Sequence, residues 1–138
     1  MTNLDLVTYK SLYLKTAREH VNDLKKNLAL LNSNPTDKQP IYEVFRLFHS
    51  LKSQNYFMGF EKTAQLCKVF EQFFRDINDG KKIYNPNLSD LILRALKKLE
   101  DSFIAIEQSN RELDLTQNII NLETKLSFNM SSWIYLPA

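Results

Sequence analysis

A chain of 138 residues, 43% hydrophobic and 25% charged, fits one compact domain able to bury roughly two-thirds of its unfolded surface, and it leaves no room for a second catalytic domain. Eighteen Lys and Arg against sixteen Asp and Glu give a formal charge of +2; the basic residues are dispersed, which argues against a nucleic-acid partner, since such binding draws on concentrated neutralisation of phosphates. With two glycines and four prolines, turn residues are too few for many short strands, and an all-α class is expected.

The first helical pattern runs from about residue 5 to 31, with Tyr9, Tyr13, Ala17, Val21, Leu24, Leu28 and Leu31 at three-or-four spacing. His20 lies at the edge of this stripe and has no chemical partner at useful spacing, so a partly covered helix-edge histidine is expected. The run Asn32-Ser33-Asn34-Pro35-Thr36-Asp37-Lys38-Gln39 is turn chemistry. Pro40 is placed as the first residue of a second helix reaching about 58, where its missing N–H costs nothing; Ile41, Val44, Phe45, Phe48 and Leu51 face its core.

Gly59 closes that helix as a left-handed terminal residue. A third helix covers about 61 to 79, with Phe60, Ala64, Cys67, Phe70, Phe74 and Ile77 forming its stripe, Leu66, Val69 and Phe73 widening it, and Gly80 stopping it. Asn85 and Pro86 mark the start of a fourth, about 87 to 107, carrying Leu88, Leu91, Ile92, Ala95, Leu96, Leu99, Phe103 and Ile106. Four long amphipathic helices on short connections predict an up-down antiparallel bundle spanning 5–109. The remainder, 110–138, reads as an accessory fifth helix, about 113 to 126 with Leu115, Ile119, Leu122 and Leu126, followed by an apolar tail. That tail holds Phe128, Trp133, Ile134, Tyr135 and Leu136, and is expected to be covered by this domain, by a partner or by further chain.

A lone Cys67 permits no internal disulfide and has no metal-ligand spacing around it, so a reduced, cytoplasmic setting and no bound metal are expected. No run approaches the length of a membrane span, and Met1-Thr2-Asn3-Leu4-Asp5 lacks the basic and apolar regions of a signal peptide, so no membrane insertion is expected. The Asn129-Met130-Ser131 glycosylation match accordingly carries little meaning.

Chemistry concentrates in Phe45-Arg46-Leu47-Phe48-His49-Ser50-Leu51-Lys52-Ser53, continuing through Tyr56-Phe57-Met58 to Gly59-Phe60. His49 and Lys52, three residues apart, share one helical turn. A nucleophilic ring beside a lasting positive charge suits receipt of a phosphoryl group. His49 sits on the flank of the second helix's stripe, alongside Phe45, Ser53 and Tyr56, where packing can orient it while solvent still reaches it. In the third helix Glu71 interrupts the apolar surface, and a carboxylate there needs a partner. Arg75, four residues on in the favourable acid-first order, is one candidate; a donor on the preceding helix, His49 foremost, is the other.

His49-Ser50-Leu51-Lys52 followed by Met58-Gly59-Phe60 resembles the signature of histidine phosphotransfer domains, most closely those of chemotaxis histidine kinases of the CheA type. The resemblance covers about residues 6–109, with a fifth helix also found in that subclass, and Glu71 stands where those domains carry a glutamate that hydrogen-bonds the acceptor ring. It implies that His49 accepts a phosphoryl group on Nε2, that Glu71 accepts a bond from Nδ1–H and so sets the tautomer, and that Lys52 offsets phosphoryl charge. It implies two partners as well: a kinase ATP-binding domain that holds ATP and magnesium, and a response-regulator receiver whose aspartate takes the group onward. No cofactor is expected on this chain, which lacks a P-loop, a kinase glycine loop and clustered carboxylates for magnesium; it cannot be the kinase by itself. Departures from the pattern are Ser53 in place of a glycine, Tyr56 in place of a small residue on the partner-access flank, and Lys15-Thr16 in place of an acidic pair before Ala17. The alternative they leave open is a helical docking module that binds signalling partners without being phosphorylated.

Overall fold

The computed structural model describes the backbone of residues 3–134 and the side chains of 7–127. Five α-helices occur among the described residues: α1 (Asn3–Ser33), α2 (Lys38–Met58), α3 (Glu61–Asn78), α4 (Ser89–Ser109), preceded by a 3-10 turn at Pro86–Leu88, and α5 (Thr116–Ile134). No strand is present among them. The all-helical expectation therefore holds. Of the apolar tail, Phe128 to Leu136 lie outside the described side chains, although the α5 backbone continues to Ile134.

Helix ends follow from local chemistry, with corrections to two starts and to one end, since α5 runs on to Ile134 rather than stopping at about 126. α2 begins at Lys38 rather than Pro40, because the Asp37 side chain accepts from the Gln39 N–H and caps the helix earlier. Pro40 is then the third helical residue, still within the first turn, whose N–H groups have no helical acceptor. α5 begins at Thr116 rather than 113, because Asp114 accepts from both the N–H and the hydroxyl of Thr116. At the other end of α2, Gly59 has φ 84°, a conformation costly for any residue with a Cβ. Its N–H and that of Phe60 return to carbonyls of the last helical turn, and the chain reverses straight into α3.

α2 and α3 share the most extensive contact; α1 packs on α2 and α4, and α3 also meets α4 and α5. One apolar cluster runs from Tyr13 to Leu126, so Leu115, Ile119, Leu122 and Leu126 of α5 and its approach join the same core as α1 to α4. Aromatic rings fill its centre: Phe48 stacks on Phe70 at 5.0 Å and on Phe74 at 6.0 Å between centroids.

Within this core, Tyr9 is exposed, while Leu14 and Leu47 are buried. Successive four-residue steps each overshoot a full turn by about 40°. By Tyr9 the α1 stripe has therefore drifted off the core face, and Leu14 takes its place. The same geometry sorts α2: about the line through Val44 and Leu51, Leu47 lies roughly 60° to one side, whereas Phe45 is rotated about 100° and His49 about 140°. Phe45 is accordingly half-buried against the core rather than within it.

The start of α3 has no side-chain cap of its own. Glu112, from the α4–α5 connection, supplies one: its carboxylate accepts from the Lys62 and Thr63 N–H groups at 3.2 and 2.7 Å and from the Thr63 hydroxyl at 2.7 Å. Thr63 Oγ1 also bonds the buried Ser102 Oγ, which in turn accepts from Leu113 N–H. A negative group at a helix N-terminus is favourable both as cap and against the helix dipole. Glu112→Ala should lower unfolding stability by about 1–2 kcal/mol, read as a shift in the urea midpoint; an unmoved midpoint would show that water replaces the cap without loss.

Candidate functional site

The turn at Gly59 lays α3 back along α2 and brings Glu71 against His49, twenty-two residues apart in sequence. His49 Nδ1 lies 2.7 Å from Glu71 Oε1. The His49 side chain is 53% exposed while that of Glu71 is 2% exposed, so a solvent-facing ring is held from below by a carboxylate sunk in the α2–α3 interface. With Nδ1–H donating to the carboxylate, Nε2 carries the lone pair.

Both candidate partners of Glu71, His49 and Arg75, are realised, and Lys52 is a third. Arg75 Nη2 donates to the same Oε1 at 2.9 Å, and Lys52 Nζ reaches Oε2 at 2.6 Å. Burial alone pushes the Glu71 carboxyl up, but hydrogen bonds from Lys52 and then His49, with the charge of Lys52, outweigh it and hold the group below the ordinary carboxylate range. Glu71 is thus an anion at neutral pH, engaged on both oxygens.

Phe45, one turn before His49, flanks the imidazole with centroids 6.5 Å apart. The Arg75 guanidinium stands 5.5 Å from the Phe45 ring centroid, a cation–π distance. Ser53 is exposed, as is Tyr56 at 42%. The tyrosine borders an open groove between α3 and α5, with Lys68, Gln72 and Glu123 among its walls. The structure therefore gathers His49, Glu71, Lys52 and Phe45 with Arg75, and leaves Ser53 and Tyr56 at the surface of the same helix.

Two features escaped the sequence reading. Asn55 is fully buried; Tyr13 Oη donates to its Oδ1, and its Nδ2 donates to the Leu51 carbonyl. That bond ties α1 to the last turn of α2, next to Lys52. Its signal was available, because Asn55 falls four residues after Leu51 on the core line. The other is the triple engagement of Glu71: Arg75 and His49 are legible as alternative partners, whereas Lys52, expected only near the phosphoryl oxygens, also holds the carboxylate.

Elsewhere, His20 is half-buried at the edge of α1, pushed down chiefly by burial and then by Arg46. Cys67 is fully buried, and burial pushes its thiol up. Among the described residues no group of three or more His, Cys, Asp or Glu side chains is placed to hold a metal ion, and no helix is long and apolar enough to cross a membrane.

Fold and site together define a helical domain that displays one oriented imidazole on a carboxylate support. The Hpt domain family profile matches residues 8–124, and the chain belongs to that family. It is 28% identical over 116 residues to the chemotaxis protein CheA of Listeria monocytogenes, covering 83% of this chain and 19% of that protein. To CheA of Bacillus subtilis it is 27% identical over 126 residues, covering 91% of this chain and 18% of the relative. The chain thus spans about a fifth of the length of these relatives. Among solved structures, a histidine phosphotransfer domain of CheA aligns with TM-score 0.79 at 24% identity over 92% of both chains. The CheA phosphotransferase domain from Thermotoga maritima aligns with TM-score 0.71 at 24% identity over 78% of this chain and all of that one. These two structures bear on the fold alone.

Proposed function

We propose that this chain is the histidine phosphotransfer domain of a CheA-type chemotaxis phosphorelay, working in the cytoplasm, with an up-down antiparallel four-helix bundle over 5–109 and 110–138 as accessory helix and tail. The observation that carries the reading is the exposed His49 ring whose Nδ1 is engaged by a buried carboxylate at 2.7 Å. His49 Nε2 attacks the γ-phosphorus of ATP held with magnesium by a separate kinase domain; the N–P bond forms as the bond to ADP breaks. In the second step an aspartate of a response-regulator receiver attacks the same phosphorus, and Nε2 leaves with its lone pair. Neither step asks the protein for more than positioning and charge stabilisation.

Each residue has a part in this. Glu71 sets the tautomer and stabilises the ring as it gains positive charge. Lys52, bound to Glu71 Oε2 at rest, offers its charge to phosphoryl oxygens one turn from the ring. Phe45 flanks the imidazole and, with Ser53 and Tyr56, borders the approach of a partner.

The test is labelling with ATP and the ATP-binding domain of a CheA-type kinase, followed by peptide mapping. Acid-labile, base-stable label confined to the peptide containing His49 is expected. Label on the His20 peptide, or none from any such kinase, would overturn the reading; the second outcome, with partner binding intact, would favour an unphosphorylated docking module.

A further inference from the structure

The contacts around His49 close on themselves. Phe45 meets His49 at 6.5 Å, His49 meets Glu71 at 2.7 Å, Glu71 meets Arg75 at 2.9 Å, and Arg75 returns to Phe45 at 5.5 Å. An exposed i,i+4 ion pair on a helix ordinarily adds little to stability and does little else. This pair differs on two counts. Its carboxylate is only 2% exposed, and the oxygen that Arg75 holds is the one that faces His49 Nδ1.

Two consequences follow from that sharing. A carboxylate held by Lys52 on Oε2 alone could still rotate about its last bond, carrying Oε1 out of line with the imidazole. The Arg75 guanidinium, itself seated on Phe45, removes that freedom. Charge matters as well: a phosphoryl group brings between one and two negative charges to Nε2, one ring's width from a buried carboxylate. Lys52 and Arg75 together place two positive charges on that carboxylate, so the arriving dianion does not meet an uncompensated anion.

We propose that Arg75 is a positioning residue for phosphoryl transfer at His49, acting through Glu71: it pins the oxygen that takes Nδ1–H and, with Lys52, offsets the carboxylate's charge. This rests on the assignment of His49 as phosphoryl acceptor, and the experiment separates the two.

Phosphorylation rates are measured for wild type, Arg75→Gln, Arg75→Lys, Glu71→Gln and the Arg75→Gln/Glu71→Gln double variant, each checked for folding by circular dichroism. Two donors are used: ATP with a CheA-type kinase domain, and the small donor phosphoramidate, which requires no docking. Arg75→Gln should slow labelling about ten-fold with both donors, and Arg75→Lys should recover most of it. In the Glu71→Gln background Arg75→Gln should have at most about a two-fold further effect, since a residue acting through Glu71 is silent once that carboxylate is gone. Imidazole nitrogen-15 NMR should show a smaller share of the Nδ1–H tautomer at His49 in Arg75→Gln.

Wild-type labelling at His49 with an unchanged Arg75→Gln rate overturns the role of Arg75 and leaves the acceptor assignment standing. A defect with the kinase but not with phosphoramidate makes Arg75 a docking contact instead, and an equal defect with and without Glu71 means that it acts directly on the phosphoryl group. Absence of wild-type labelling with either donor overturns both proposals.

Discussion

His49→Gln should abolish labelling from ATP and a CheA-type kinase domain, down to the background of a reaction without this chain, while the far-ultraviolet circular dichroism should stay that of the wild type. The amide that replaces the ring has no basic lone pair, because its nitrogen's electrons are delocalised into the carbonyl, so no N–P bond can form. The fold survives because the ring is 53% exposed and the core beneath is built by Phe48, Phe70 and Phe74. Loss of a half-exposed side chain on a helix flank changes stability by about 1 kcal/mol or less. Glutamine can still offer a donor to Glu71, so the buried carboxylate keeps a partner. The two measurements together make the result decisive: lost label in a folded domain identifies the acceptor, whereas retained label rejects His49 outright.

Much of this architecture is legible in the sequence, and the reason is periodicity. The α3 and α4 stripes, from Ala64 to Ile77 and from Leu88 to Ile106, are buried as their spacing required, with Val69 and Leu91 half-buried at their edges, because burial against several neighbours leaves little latitude in which face turns inward. Where a stripe was drawn by adding four repeatedly, as at Tyr9, the 3.6-residue turn carried it off the core. Helix ends marked by a glycine are legible in the sequence and the others less so: α5, expected to end at about 126, runs on to Ile134. Gly59 and Gly80 announce their left-handed conformations, whereas the choice between Asp37 and Pro40, or between Leu113 and Thr116, depends on which side chain turns back to cap a free N–H.

The site divides along the same line. That His49 is exposed and Glu71 buried follows from helical angle and could be read from one strand of text. That Glu71 meets His49, Lys52 and Arg75 at once depends on how deep α3 sits against α2, a tertiary distance that no spacing rule contains. The cap that Glu112 gives α3 is likewise invisible in sequence, because forty-nine residues separate it from Thr63 and the local signal at Phe60 and Glu61 is silent.

Glu71→Gln should slow phosphorylation of His49 by roughly ten- to a hundred-fold in a folded domain. Glutamine is nearly isosteric, but its amide can turn either end to the ring. With the –NH2 toward Nδ1 it favours the tautomer that protonates Nε2, the atom that must attack. Its neutrality also removes the charge that stabilises the ring as positive charge develops during transfer, and it leaves Lys52 and Arg75 facing each other without their common anion. Stability changes in a way that pH reveals. The folded carboxyl titrates below its ordinary value, so its contribution is present in full above the unfolded value, about 4.3, and is lost as pH falls through the folded one. Urea unfolding at a series of pH values from neutrality downward should therefore show wild type more stable than Glu71→Gln at neutral pH, with the gap narrowing in acid. A gap that stays constant with pH would mean that Glu71 contributes shape rather than charge, and unchanged phosphorylation kinetics would remove it from the transfer chemistry altogether.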